Sequence, residues 1–462
     1  MGPMLQDDGS SVTSSPLQFF SMMSPNLGFN NNNNNNNNTN NNTNYPWLRE
    51  LKPEERGLYL IHLLLSCANH VSSGNLDNAN LALEQISHLS TPDGDTMQRI
   101  ASYFAESLSE RVIKSWSGLY RALQCTRMPV ISDEILARKL FFELFPFLKL
   151  AFIVSNNSII EAMEGEKMVH IIDLSASEPA QWIALIQALS ARPEGPPHLR
   201  ITGVHHQKEV LDQLAHRLTE EAEKLDLPFQ FNSVVSKLEN LDIDKLRVKT
   251  GEALAICSTL QLHTLLASED DSLRRSIPPL AMMKHANGTE GTNDSASSSP
   301  QSVNYSSKMD GFLNALWGLS PKIMVIAEQD SSHNGLTLME RLSEALYYYA
   351  SLFDCLESTL PRSSLERRKV EKMLLGEEIK NIIACEGGDR RERHEKLEKW
   401  FQRFDLAGFV NVPLSYIGVI QARSLLQGSG CDGYRIKEEN GSLVMCWQDR
   451  PLYFVSTWRC RR

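Results

Sequence analysis

Four polar residues in two strand-like runs could take part in chemistry. His170 and Asp173 belong to the run MVHIIDL, and His205 and His206 end the run LRITGVHH. Imidazole and carboxylate groups bind divalent metals and act as acid–base catalysts. Side chains alternate across a strand, so His170 and Asp173, three residues apart, are expected on opposite faces. We therefore predict no metal site at these residues.

The sequence after each of these strands lacks what a nucleotide-like cofactor requires. Such sites use a glycine-rich turn after the first strand and a carboxylate after the second. Here Asp173 is followed by LSASEPAQW, which has no glycine, and the second strand by His205-His206-Gln207, which has no acid. We predict no cofactor and no catalysis, and expect Asp173 to cap or hydrogen-bond at the strand–helix turn. The alternative is an S-adenosylmethionine-dependent methyltransferase-like enzyme or a small-molecule binder.

Two other motifs have both a functional and a structural interpretation. Leu60, Leu63 and Leu64 match the LxxLL pattern of helices that enter coactivator grooves, although core helices rich in leucine produce it by chance. The segment RRERHEKLEK, which begins at Arg390, could be a nuclear import signal or contact phosphates. Its interleaved glutamates favour a solvated helix face instead.

The first elements that surround these residues are helical. From about residue 54 to 165, apolar residues recur at helical spacing, as in Ile61, Leu64, Leu65 and Ala68. No strand-like run interrupts them, so this part is predicted to form an all-α cap.

Strands and helices alternate from Met168 onwards, with further strand-like runs at PFQFNSVV, EALAICST and KIMVIAEQ, which predicts a parallel sheet. Ligands of such sheets bind at the carboxyl ends of the strands, where Asp173, His205 and Glu328 lie. The last runs, YRIKEE, SLVMCWQ and PLYFVSTW, are predicted antiparallel strands, the first two joined by the hairpin signal Asn440-Gly441. The predicted class is α/β: an N-terminal helical cap and a Rossmann-like, methyltransferase-like mixed sheet that ends in an antiparallel hairpin.

Two low-complexity segments are predicted to be unstructured. Residues 1–45 are rich in Ser and Asn, with nine consecutive asparagines, and residues 285–308 form a polar, Ser-rich stretch inside periodic sequence. Neither segment has enough apolar residues to offset the entropy of ordering. We interpret them as a disordered tail and a flexible surface insertion.

Charge and cysteine content exclude several classes of protein. The formal net charge of −10 opposes DNA binding by the chain alone, although a direct DNA-binding transcription factor stays as a second alternative. The eight cysteines include no C-x-x-C pair, so neither a zinc finger nor a disulfide framework is expected. No apolar run approaches the roughly 20 residues needed to span a bilayer, so no membrane association is expected.

The VHIID run at Val169, His170, Ile171, Ile172 and Asp173 resembles the signature of the GRAS family of plant transcriptional regulators. Leucine-rich helices precede it and a leucine-rich segment follows it, as in that family. The resemblance covers residues 46–462 and implies five regions: leucine-rich region I at 54–118, the VHIID region at 137–202, leucine-rich region II at 211–246, the PFYRE region at 252–383 and the SAW region at 386–462.

Two regions depart slightly from the family pattern. The PFYRE-like residues are Pro321, Phe353 and the pair Arg391-Glu392, but Phe353 is followed by Asp354 where the family has tyrosine. The terminal triplet is Ser456-Thr457-Trp458 in place of Ser-Ala-Trp. These departures weaken only the local assignments.

The resemblance also implies a function and partners. GRAS proteins similar to this one act in the nucleus as co-regulators of gibberellin-linked growth and development. They pair with each other, including DELLA repressors, and reach DNA indirectly through C₂H₂ zinc-finger factors. For this chain we therefore expect a scaffold role, with possible homo- or heterodimers, and a partner-binding surface on the cap helices.

Overall fold

The computed structural model describes residues 51–124, 131–268, 308–428 and 430–461. The predicted tail at 1–45 lies outside these ranges. The predicted insertion at 285–308 does too, except for its last residue. Along the described ranges, no helix combines the length and apolar character that crossing a bilayer requires.

Nine strands in the described residues form one mixed sheet. They are β1 (Met168–Asp173), β2 (His198–His205), β3 (Phe229–Val235), β4 (Ala253–Thr259), β5 (Ile323–Gln329), β6 (Phe409–Val412), β7 (Tyr434–Glu439), β8 (Ser442–Trp447) and β9 (Arg450–Cys460). The order is β3-β2-β1-β4-β5-β9-β8-β7, and β6 pairs with β9. Strands β1 to β5 are parallel, and β5 to β9 pair antiparallel. The predicted mixed sheet is confirmed.

Helices surround this sheet and form the cap. They are α1 (Pro53–Ser72), α2 (Leu76–Leu89), α3 (Thr96–Lys114), α4 (Ser117–Gln124), α5 (Ile131–Leu144), α6 (Phe147–Ala162), α7 (Pro179–Ser190), α8 (Lys208–Lys224), α9 (Lys308–Gly318), α10 (Leu338–Thr359), α11 (Leu365–Val370), α12 (Glu377–Ala384), α13 (Leu397–Leu406) and α14 (Tyr416–Gln427). A π-helical turn, Glu371–Gly376, joins α11 to α12, and short 3₁₀ turns follow β3 and β4.

Amphipathic helices follow three of the parallel strands, α7 after β1, α8 after β2 and α10 after β5, whereas 3₁₀ turns follow β3 and β4. Every residue of β1 after Met168 is buried, as expected for a strand between β2 and β4. The side chains of β1 alternate between two apolar cores: Val169 and Ile171 belong to the core under α7 and α8, and Ile172 to the core under α9 and α13.

The helical cap has the predicted all-α character. Helix α1 packs on α2 and α3, and its apolar stripe is buried in the larger core. Helix α6 belongs instead to the sheet layer, because it packs on α7, β5, β9 and α14. Helix α12 returns to the cap and packs on α3, so the cap is completed by residues from two distant parts of the chain.

The predicted hairpin is present between β7 and β8. Asn440 and Gly441 have φ values of 48° and 75°, the left-handed conformation that a two-residue type I′ turn requires. Glu439 pairs with Ser442 across the turn. Strand β6 was not predicted, because its four residues are too few to give an alternating pattern.

The segment around Arg390 contradicts the prediction of a solvated helix face. Residues 390–396 form neither helix nor strand, and Arg390, Arg393 and His394 are buried. Arg390 donates to the carbonyl of His333 at 3.1 Å, and Arg393 to the carbonyl of Gly387 at 2.9 Å. A run of charged residues ordinarily indicates exposure, but here backbone carbonyls from other segments bind the guanidinium groups.

Candidate functional site

A cleft lies between the carboxyl ends of the parallel strands and the cap helices. Its volume is about 1810 Å³, and its walls include side chains from β1, β2, α3, α5 and α12. This is where ligands bind in doubly wound sheets. Asp173, His205, His263, Glu378 and Glu392 line it.

Asp173 lies at the carboxyl end of β1, and both oxygens of its carboxylate accept hydrogen bonds from the strand–helix turn and the helix that follow it. Its Oδ2 accepts from the indole Nε1 of Trp182 at 2.7 Å, and its Oδ1 accepts from the backbone N of Ser175 at 3.0 Å. Burial raises the pKa of Asp173, while the bonds from Ser175 and Trp182 oppose that rise. The side chain that caps α7 is Glu178, which accepts from the backbone N of Ala180 at 3.1 Å. Asp173 therefore orients α7 on the strand.

His170 lies on the opposite face of β1 and takes part in a buried polar cluster. Its Nδ1 accepts from Arg200 at 3.0 Å, so its Nε2 carries the proton and donates to Thr202 Oγ1 at 2.8 Å. Burial, together with the charge of Arg200, lowers the pKa of His170 to about 4. Arg200 is held in turn by the carboxylate of Glu252. These bonds connect β1 and β2 to Glu252, the residue just before β4.

The loop after β1 closes over the strand ends instead of forming a cofactor cradle. The backbone N–H of Leu174 donates to the carbonyl of Cys257 at 2.9 Å, and that of Ala176 to the carbonyl of Val204 at 3.2 Å. Ser175 Oγ accepts from the backbone N of Thr259 at 3.0 Å. N–H groups that a cradle would direct at a ligand are thus bonded to neighbouring strands.

The end of β2 carries imidazole groups at the position where a nucleotide site has a carboxylate. His205 Nδ1 accepts from the backbone N of Gln207 at 3.1 Å, and the rings of His205 and His206 stack with centroids 4.5 Å apart. This arrangement starts α8, and no carboxylate replaces the one expected there in a nucleotide site.

The densest polar cluster at the cleft lies at the ends of β4 and β5. Glu328 Oε1 accepts from the backbone N of Leu262 at 2.7 Å, and its Oε2 pairs with His263 Nδ1 at 2.7 Å. Burial alone would lower the pKa of His263, but Glu328 and Glu392 outweigh it and raise that pKa to about 10. Burial and the charge of Glu392 raise the pKa of Glu378 to about 8.

The sequence patterns mark Glu328 and Glu392 of this cluster but do not mark His263, Glu378 or His394. His263 follows β4 by four residues, so the rule that selected Glu328 could have been extended to it. No comparable signal marked His394, because its segment was interpreted as a helix.

The predicted interaction and family motifs lie in different places. Leu60, Leu63 and Leu64 are all buried in the core, so the LxxLL candidate offers no surface to a partner in this fold. Arg391 and Glu392 line the cleft, and Arg391 pairs with Glu239 at 3.0 Å.

The other motif residues are packed within the fold. Phe353 is fully buried against Tyr103, and Pro321 is buried just before β5. Ser456, Thr457 and Trp458 lie buried in β9, where Trp458 Nε1 donates to Ser456 Oγ at 2.9 Å. The cleft therefore brings together the end of the VHIID motif and the Arg391-Glu392 pair, and leaves the other motifs in the core.

Comparison with known families identifies the chain. A family model described as the GRAS domain family matches residues 60–459. The chain belongs to the GRAS family. The match begins in α1 and ends in β9, so the cap and the sheet core are both parts of the GRAS domain.

Several relatives cover most of this GRAS chain. It is 62% identical to Scarecrow-like protein 3 of Arabidopsis thaliana, and the alignment covers all of both chains. It is 34% identical to the DELLA protein RGL1 of A. thaliana, over 89% of this chain and 72% of RGL1. It is 33% identical to the Scarecrow-like transcription factor PAT1 of A. thaliana, over 86% of this chain and 75% of PAT1.

A solved GRAS structure has the same fold. The crystal structure of SCL7 from Oryza sativa superposes with a TM-score of 0.68 at 28% identity, over 87% of this chain and 99% of the SCL7 chain.

Proposed function

We propose that this GRAS protein is a nuclear transcriptional co-regulator that acts as a scaffold for other proteins in gibberellin-linked growth and development. Its similarity to a named transcription factor and to a DELLA protein supports a regulatory role. The closed loop after β1 supports a role other than cofactor-dependent catalysis, because the N–H groups of Leu174 and Ala176 are already bonded.

The observation that carries the scaffold proposal is an exposed apolar face at α4. Trp116, Leu119 and Leu123 are exposed to 51%, 48% and 48%, and their spacing places them on one side of the helix. Apolar side chains grouped in this way mark protein-binding surfaces. We call this set the α4 face, and it replaces the buried LxxLL motif as the partner surface of the cap.

The proposed partners are other GRAS proteins, including DELLA repressors, and C₂H₂ zinc-finger factors. A net charge of −10 suits an indirect route to DNA, in which a basic partner makes the phosphate contacts. The chain would act as a homodimer or as a heterodimer with another GRAS protein.

Introduction of negative charge at the α4 face tests this proposal. We expect Leu119→Glu together with Leu123→Glu to weaken binding to a DELLA-type GRAS protein by about 10-fold or more in calorimetry, because apolar anchors dominate interfaces. Leu406→Glu, on a leucine 85% exposed at the end of α13, is the matched control. Unchanged binding by the double variant would exclude the α4 face.

Promoter retention tests the indirect route to DNA. In a gel shift, we expect the chain to retain promoter DNA only when a zinc-finger partner is added. Tight and sequence-selective retention by the chain alone would favour the direct DNA-binding alternative.

The volume of the cleft favours a second candidate function, small-molecule binding. A cleft of about 1810 Å³ exceeds what a cofactor-sized ligand needs. We nevertheless expect no saturable S-adenosylmethionine binding in calorimetry, because the cradle is closed. Micromolar affinity would overturn the scaffold proposal and support an enzyme.

A further inference from the structure

We propose that His263, Glu392 and His394 form a tetrahedral zinc-binding site at the base of the cleft. His263 Nε2 and His394 Nε2 each lie 3.1 Å from Glu392 Oε2, and the three ligand atoms all lie within 4.8 Å of one another. Two ligands of a tetrahedral zinc ion, each about 2.0–2.1 Å from it, are separated by about 3.3 Å. The observed separations therefore leave room for one ion between them.

The second ring nitrogen of His263 is bound in the way that zinc-ligating histidines require. His263 Nδ1 lies 2.7 Å from Glu328 Oε2, and Glu328 is itself held by the backbone N–H of Leu262 at 2.7 Å. A carboxylate on Nδ1 fixes the ring, leaves Nε2 for the metal and increases its basicity. The ring is thereby oriented towards Glu392.

His394 is fixed by a chain of hydrogen bonds whose direction can be worked out from its far end. Glu344 pairs with Arg450 at 3.0 Å and with Lys396 at 3.4 Å, so it is an ionised carboxylate that only accepts. Ser331 Oγ therefore donates its single proton to Glu344, at 3.2 Å, and must accept from His333 Nε2, at 2.9 Å.

The same reasoning shows which ring nitrogen of His394 carries the proton. Because Nε2 of His333 carries the proton, Nδ1 of neutral His333 accepts from Nδ1 of His394, at 2.8 Å. Nε2 of neutral His394 then carries a lone pair and faces the carboxylate oxygen of Glu392. A metal ion between these two atoms, or a proton on Nε2, would join them across the 3.1 Å that separates them.

An orphaned atom supports this interpretation independently. His394 is fully buried, and its Nε2 lies 3.1 Å from Glu392 Oε2 without the alignment of a hydrogen bond. A buried polar atom without a well-aligned partner destabilises the fold, and coordination of a metal ion would satisfy it. His263 and Glu392 line the cleft, so a fourth ligand would approach from that side.

Zinc is favoured over other cations by the chemistry of the ligands. Two imidazoles and one carboxylate suit zinc with an open fourth position, whereas magnesium and calcium prefer oxygen ligands alone. Cobalt(II) binds such sites with visible absorption that reports their geometry, so it serves as the probe.

The test uses the untagged full chain, stripped with EDTA and titrated with CoCl₂. We expect one cobalt per chain, an intense tetrahedral spectrum, and its loss when ZnCl₂ is added. Glu392→Gln and His394→Ala should each lower the affinity for cobalt by about 100-fold or more, since each removes a ligand. His206→Ala removes an imidazole from the same cleft but outside the cluster, and it should bind as the wild type does.

Three outcomes would overturn the proposal: no stoichiometric binding by the wild type, a weak octahedral spectrum, or wild-type affinity in both ligand variants. Circular dichroism checks that each variant is folded. If His394→Ala does not fold, the isosteric Glu392→Gln variant and the wild-type spectrum still decide the question.

Discussion

At the scale of residues, the VHIID motif consists of side chains with opposite environments on one strand. Asp173 faces the larger core and accepts from Trp182, whereas His170 faces the other side and contacts Arg200 and Thr202. Each polar group is buried, and each is bonded to a neighbouring element of the fold. The motif therefore fixes those elements in place, and its polar residues serve to hold the fold together.

The buried, neutral state of His170 predicts a pH dependence of stability. Its pKa is about 4 in the folded protein and about 6.5 when unfolded, so the unfolded chain takes up the proton first as the pH falls. The free energy of unfolding should therefore decrease between pH 6.5 and pH 4. Urea titrations should show a smaller decrease over this window for His170→Gln, which has no titrating ring. Equal slopes for the two proteins would contradict the assignment.

Removal of the Asp173 carboxylate should destabilise the fold. Asp173→Ala leaves the buried indole N–H of Trp182 without its acceptor, at a cost of about 1–3 kcal/mol. Urea unfolding measures the loss. Asp212→Ala, which removes an exposed ion pair with Lys208 on α8, should change little and provides the control.

At the scale of elements, strands were easier to predict than the links between them. Eight of the nine described strands were predicted, because buried runs of β-branched residues and a type I′ turn signal are local properties. Strand β6 was missed, and the irregular segment after α12, residues 390–396, was wrongly interpreted as a helix. Both depend on pairing with distant residues, β6 with β9 and Arg390 with the carbonyl of His333, which no local pattern encodes.

The cleft shows the same limit on prediction from sequence. The position of a site at the carboxyl ends of β1, β2 and β5 followed from the strand–helix rhythm. The partners of those ends did not, because His263, Glu392 and His394 come from segments about 130 residues apart.

Substitution of Gly441 should weaken the edge of the sheet. An alanine there is strained by a φ of 75°, and its Cβ would lie 2.8 Å from Asn411 Oδ1. We expect a loss of about 1–2 kcal/mol in urea unfolding. Gly311→Ala in α9, where nothing lies within 4 Å, should be neutral or stabilise by up to about 1 kcal/mol. A loss of the same size in both variants would argue against a special role for the turn.

At the scale of the molecule, a buried charge network joins α3 of the cap to α10, the helix whose Asp354 accepts from the indole Nε1 of Trp447 in β8 at 2.7 Å. Arg99 of α3 contacts Glu357 of α10 at 2.9 Å and Glu371 of the π-helical turn at 3.1 Å, and Arg367 reaches Glu371 at 3.5 Å. Arg99, Arg367 and Glu371 are fully buried. The cap and the sheet core should therefore unfold together.

Loss of Glu371 tests this coupling. Glu371→Ala leaves two buried guanidinium groups to share the single carboxylate of Glu357, at a cost of up to about 3–5 kcal/mol. A single, coincident transition by circular dichroism and tryptophan fluorescence is expected, shifted to lower urea. Separate transitions for cap and core would contradict the coupling, and Glu220→Ala at an exposed ion pair should leave the curve unchanged.

The position of β9 has a consequence for how the protein is made. It is the last described strand in chain order, yet it lies inside the sheet, beside β5 on one edge and beside β8 and then β6 on the other. During synthesis, β5 emerges more than 100 residues before the strand that covers it. The nascent chain thus exposes an open, apolar strand edge until translation of the domain is nearly finished. We expect chaperone binding to matter most during the interval between the synthesis of β5 and that of β9.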